Sequence, residues 1–269
     1  MKTNLWITSA LGALLLTAIY ALLNALFNET QDLNSLLWGI IANYLLALLL
    51  GYYIQHSTLR GFKLGLSVFL IYFLIGHFNI LIEAYIFNVT DRGQTLFELL
   101  RGFLAAAIFC PLFVYMFRKL ESQETLKFAP RTFFGWFWKV LVANFLYLVF
   151  YIGAGLVLSI ALPEMMEFYQ DKIPPMDVMI NTQLFLRGFV FIAVALLVLR
   201  TVNLSKLKKA LLIGLIFAII GGIAPLIQPN ELMPLYIRIG HSFEVGISNF
   251  LYGLAIAYLL SRKMIRDDK

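Results

Sequence analysis

Of 269 residues, 61% are hydrophobic and only 13% are charged, against about 25% charged in an ordinary soluble domain. With a mean hydropathy of +0.84, the chain has too little polar surface to cover a water-facing globule, and its long apolar runs describe an all-α, polytopic transmembrane helix bundle. The formal charge of +6 does not point to nucleic acid, because the basic residues are spread over short loops where a topology signal accounts for them.

Short alternating segments of the kind a transmembrane β-barrel needs are absent. The single cysteine, Cys110, excludes an intramolecular disulfide and sits in an apolar run as a small hydrophobe.

Eight apolar segments follow in chain order, at 5–27, 35–55, 62–88, 95–118, 134–162, 178–200, 207–227 and 235–261. The first opens like a secretory signal, with Lys2 ahead of "LWITSALGALLLTAIYALLNALF". Its apolar stretch exceeds the roughly 7–15 residues of such a signal and no A-x-A site ends it, so it is expected to stay as a membrane helix.

The connections alternate in character. Those after segments one, three, five and seven are acidic or polar ("NETQDLN", "NVTDRGQT", "PEMMEFYQDKIPPMD", "QPNELMP"); those after two, four and six, and the C-terminus, are basic. Sixteen of the 21 Lys and Arg residues fall on the basic side. The positive-inside rule then predicts four outward-pointing hairpins with both termini cytoplasmic, in the plasma (inner) membrane. The chain reads as one transmembrane domain, 1–269, with possible halves 1–119 and 134–269 joined by a cytoplasmic loop at 120–133. "FFGWFWK", Phe133–Lys139, beside that loop has the aromatic and basic make-up of an interfacial anchor.

"LLRGFLAAAIF" and "FLRGFVFIAVA" can be laid over each other near the starts of segments four and six, and segment eight opens similarly with "YIRIGHSF". Internal duplication of hairpins is one reading of that likeness. "NET" at 28–30 and "NVT" at 88–90 match the N-glycosylation pattern at helix ends, a match common by chance.

Eight charged or ionisable residues do not belong in lipid: His77, Glu83, Glu98, Arg101, Arg187, Arg238, His241 and Glu244. Intramembrane ionisable groups are costly, face the bundle interior and mark functional sites. At a rise of about 1.5 Å per residue, Arg238 lies near the outer interface and Arg187 and His77 roughly 13–15 Å down. All eight therefore fall in the outer half. Arg238, His241 and Glu244, spaced i, i+3, i+6, share one broad helical stripe, which Ser248 continues. Glu98 with Arg101, and Gln183 with Arg187, are spaced to pair within one helix. Gly102 and Gly188 follow their arginines and permit close helix approach. The loop "PEMMEFYQDKIPPMD" is long enough to fold over this layer as a lid or to rest as an interfacial segment.

Three functions compete for the layer. In the preferred one, Arg101, Arg187 and Arg238 bind a small anionic solute or lipid headgroup, while Glu98, Glu83, Glu244, His241 and His77 tune charge or carry protons. A pocket open to the outside fits better than a pore, because the inner half holds no matching charges. In the second, His77, His241 and Glu244 hold a metal for intramembrane hydrolysis. In the third, the charges form a structural ion-pair network. Neither a P-loop nor a G-x-G-x-x-G fingerprint is present, so no cofactor is expected. The partners expected are membrane lipids and that anionic solute, with no nucleic acid.

Overall fold

The computed structural model describes residues 4–29, 32–117, 128–229 and 233–262. Lys2, Arg118, Lys119, Lys127, Lys263, Arg266 and Lys269 of the basic count lie outside those residues, as does most of the 120–133 loop.

Among the described residues the chain is all-helical. Eight helices are long and apolar enough to cross a membrane: α1 (Leu5–Leu26), α2 (Leu33–His56), α3 (Gly61–Ile86), α4 (Arg92–Met116), α5 (Phe133–Ala161), α7 (Met176–Thr201), α8 (Lys206–Ile227) and α9 (Leu235–Leu260). Between α5 and α7 lies a short helix, α6 (Pro163–Tyr169).

Polar side chains at the segment boundaries start the helices. Asn4, Asp32, Asp91, Thr132 and Ser205 each accept a bond from a first-turn backbone N–H, such as Ser35 N to Asp32 at 2.8 Å and Gln94 N to Asp91 at 2.8 Å. The helix ends at Asn28 and Asn88 share another device. Both residues have positive φ, 58° and 50°, and the next N–H reaches back to a carbonyl, Glu29 N to Asn24 O and Val89 N to Ala84 O, each at 2.9 Å. Asparagine tolerates this left-handed cap. The cap gives both glycosylation-like patterns a structural reason for their asparagine.

Helix α1 packs on α2 and α4, α3 on α4, and α9 on α8 and α5; α3 and α8 join the two groups. Helix α8 is the most enclosed of the eight and α5 the least. The core is continuous, with Leu16, Leu50, Tyr53, Ile71, Phe109, Phe113, Phe191, Phe217 and Tyr252 all fully buried.

Among the described residues, three helices contain a π turn, where the backbone bond reaches five residues back instead of four: Leu74–Phe78 in α3 (Asn79 N to Leu74 O), Gln183–Arg187 in α7 (Gly188 N to Gln183 O) and Ile216–Ile223 in α8 (Ala224 N to Ile219 O). Such turns recur at functional sites. The turns of α3 and α8 face each other through small residues. A Cβ at Gly76 would lie 3.0 Å from Ile220, and one at Gly221 would lie 3.0 Å from Ile75.

At the opposite end of the bundle, short backbone bonds tie loops together. Thr58 N donates to Thr201 O at 2.6 Å and Asn203 N to His56 O at 3.0 Å, around an isolated bridge between Ser57 and Val202. Lys139 donates to Leu259 O at 2.6 Å and Arg131 to Ser261 O at 2.9 Å, fastening the start of α5 to the end of α9.

Candidate functional site

The eight ionisable residues form three separate groups, and the three arginines do not converge on one cradle. The first group lies between α1, α3 and α4. Arg101 donates to Glu98 at 2.7 Å and to Asn24 at 3.1 Å, and it pairs with Glu29 beyond the end of α1. Beside it, His77 Nε2 lies 3.0 Å from the Tyr20 hydroxyl, which is 3.1 Å from that of Tyr72. The His77 ring rests against the backbone of Gly102.

Arg238 stands apart. It is buried, and its Nη1 donates to Leu226 O and Ile227 O, each at 3.2 Å. These are terminal carbonyls of α8, which have no partner within their own helix, and a cation there also opposes the negative end of the helix dipole.

The third group holds the remaining charges. Arg187, in the π turn of α7, is buried and makes a two-pronged bond to Glu83 of α3, Nη1 to Oε1 and Nη2 to Oε2, both at 2.7 Å. Its Nη1 also donates to Gln183 at 3.0 Å, the i, i+4 pair legible in the sequence. The Tyr147 and Tyr151 rings of α5 each lie 5.9 Å from its guanidinium carbon. On α9, His241 Nδ1 lies 2.8 Å from Glu244 Oε2, although the alignment is outside that of a hydrogen bond.

Glu83, His241 and Glu244 are among the residues that line a cleft of about 340 Å³. Most of the remaining lining is apolar, from Ile80, Ile152, Leu156, Met179, Pro225 and Val245 among others, and Tyr151 and Ser159 also line it. That volume lies within the roughly 300–1,000 Å³ of small-molecule sites. Glu83 and Glu244 also border a smaller cavity of about 20 Å³, which Arg187, Ser248, Asn249 and Tyr252 help to bound. It has room for a water molecule, and the Tyr252 hydroxyl has no hydrogen-bond partner among the described residues.

Helix α6 closes part of the cleft. Pro163 starts it, and Met165 is buried against α9, where a Cβ at Gly240 would lie 2.6 Å from the Met165 sulfur. Met166, Tyr169 and Ile173 face the cleft. The Tyr169 ring lies 6.3 Å from that of His241 and 6.0 Å from that of Phe87. Burial, followed by the nearby carboxylates Glu83 and Glu244, pushes the Tyr169 hydroxyl well above its ordinary range, so it stays a neutral donor.

The trio His77, His241 and Glu244 is not assembled. His77 belongs to the first group and the other two to the third. Among the described residues no three His, Cys, Asp or Glu side chains are placed to hold a metal ion. Sequence reasoning passed over Glu29, which looked like an ordinary loop charge, and Tyr20, Tyr72, Tyr151 and Tyr169, which look like any aromatic of a membrane helix. The one available signal was position, because Glu29 lies two residues past the apolar run of α1.

No protein-family model matches the chain, and comparison with curated proteins and with solved structures likewise gives no match.

Proposed function

We propose that the chain is a membrane protein that binds an amphiphilic, lipid-like molecule in the cleft between α3, α5, α8 and α9. The apolar part of the ligand lies along the cleft walls and its polar group meets Glu83, His241, Glu244 and the hydroxyls of Tyr151 and Tyr169. The observation that carries this reading is a mainly apolar cleft whose lining includes Glu83, His241 and Glu244. Among the ligands expected from the sequence, a lipid headgroup fits better than a small anionic solute. Both terminal nitrogens of Arg187 are already engaged, and the groups exposed to the cleft are carboxylates and an imidazole. The polar trail stops at the 20 Å³ cavity, which favours binding over passage through the bundle. At Arg101 and Arg238 the structural reading is favoured, because each is held by the protein's own acceptors. The cleft end is the outer one and both termini are cytoplasmic, on the strength of the Lys and Arg bias.

The test uses purified full-length protein in neutral detergent, with lysophosphatidylethanolamine and citrate as probes. A ligand that binds only the folded state raises the melting temperature with concentration. The lysolipid is expected to do so. The shift should vanish in Gly155→Phe, which places a ring in the cleft at a glycine whose Cβ would meet nothing within 4 Å. A shift with citrate alone would restore the anionic solute, and no shift with either would leave a structural ion-pair network.

A further inference from the structure

The opposite end of the same bundle carries a cluster of cations. A cavity of about 110 Å³ lies between the start of α5, the ends of α7 and α9 and the start of α8. Arg200, Lys206, Lys209 and Arg262 line it, together with Trp136 and Phe128. Among the described residues, none of these four cations has an ion pair with a carboxylate; the ion pairs found there involve Arg101, Arg187 and His241.

Among the described residues, what holds the cations is neutral. Lys209 is buried, 6% exposed, and donates to Leu199 O at 3.2 Å. Arg262 donates to Ala129 O at 2.7 Å. Arg200 and Arg262 each stand 5.7 Å from the Trp136 ring, and Arg131 stands 4.5 Å from it. Carbonyls and ring faces orient cations without cancelling their charge. Burial, and then the charge of Arg262, hold the Arg131 guanidinium below its ordinary pKa.

The helix geometry adds to the imbalance. Lys206 and Lys209 stand on the first turn of α8, capped by Ser205. That end carries the positive pole of the helix dipole and favours anions. Two lysines there, one of them buried, oppose the dipole unless an anion joins them. The cavity is well under the roughly 300–1,000 Å³ of sites for drug-sized molecules, which suits a phosphate group and not a nucleotide.

We propose that this cavity binds a phosphate group, supplied by an anionic lipid headgroup or as free phosphate, through Arg200, Lys206, Lys209 and Arg262. Guanidinium forks and ammonium groups both bind phosphate oxygens. Trp136 gives the lipid source a platform at the headgroup level.

The experiment measures the melting temperature of the full-length protein in neutral detergent with dioctanoyl phosphatidic acid, with dioctanoyl phosphatidylcholine, or with inorganic phosphate. Phosphatidic acid is expected to raise the midpoint by several degrees, with phosphatidylcholine well behind. The shift should fall at least by half in the double variant Arg200→Gln/Lys206→Gln, at two exposed positions, and in Lys209→Met. Without ligand, both variants should melt at or above the unaltered chain, because repulsion has been relieved. An equal saturable shift with inorganic phosphate assigns the site to free phosphate and supports the proposal. No shift with either phosphate probe, or an undiminished shift in the variants, overturns it. So does a ligand-free double variant that melts far below the unaltered chain, since its cations would then serve the fold alone. Gly155→Phe should leave the response intact; its loss there would move the effect to the cleft and also overturn the proposal.

Discussion

The imidazole of His77 lies so close to Gly102 that a Cβ at that position would come within 2.5 Å of two ring atoms. The contact joins α3 to α4 beside Arg101 and fixes the ring that meets Tyr20. Replacing Gly102 with Ala should therefore overpack the interface, at about 1–3 kcal/mol, offset by up to about 1 kcal/mol of helix propensity. Gly153 has nothing within 4 Å of its would-be Cβ, so Gly153→Ala should be neutral or stabilising. Thermal melting of the two variants side by side checks the difference.

Arg187 and Glu83 should behave as one unit. Removing one partner strands the other charge in a buried place, at about 3–5 kcal/mol, whereas replacing both with neutral groups costs much less. Arg187→Leu is expected to melt far below the double variant Arg187→Leu/Glu83→Gln. If the double variant is as unstable as the single one, the pair is not coupled as its geometry requires.

Arg238 is a helix cap in this fold. Arg238→Gln should lower stability by about 1–2 kcal/mol, from the lost charge-assisted bonds to Leu226 and Ile227. The lysolipid response of the cleft should be unchanged. A variant of normal stability that no longer responds to the lysolipid would return Arg238 to the ligand-binding role its sequence position suggested.

Asp32 supplies a pH-dependent contribution at the start of α2. The backbone N–H of Ser35, and then its hydroxyl, hold the carboxyl below its ordinary value of 3.8. A depressed folded-state value means the contribution is fully present above pH 3.8 and fades as pH falls through the lower value. Asn can cap a helix but does not titrate. The melting difference between the unaltered chain and Asp32→Asn should be small, constant near neutrality, and shrink toward zero in acid. A difference that grows in acid would contradict this assignment.

The number and approximate limits of the long helices were legible because a span needs a long apolar run and nothing else in the chain supplies one. Local charge spacing was equally legible, since Glu98 and Arg101, or Gln183 and Arg187, meet through helix geometry alone. Partners across helices were not. Glu29 reaches Arg101 from beyond the end of another helix, and Arg187 could have met Glu98, Glu83 or Glu244 on any reading of charge alone. The depth estimate ordered the residues along the membrane normal, but it carried no information about their rotation around the bundle. That missing coordinate divides one layer into three groups.

The π turns act on that rotation. An α-helix advances about 100° per residue, so one extra residue in a turn works on a helix as an insertion works on a reading frame. Every side chain beyond it is displaced in phase, while the composition of the segment is unchanged. In α3 the shift falls between the core residues Ile71 and Tyr72 on one side and Glu83 on the other; in α8 it falls just before the cleft residues Pro225 and Leu226. Were the turn at 74–78 to tighten to α geometry with every residue kept, Glu83 would swing away from Arg187, while the span would stay long and apolar enough to cross a bilayer.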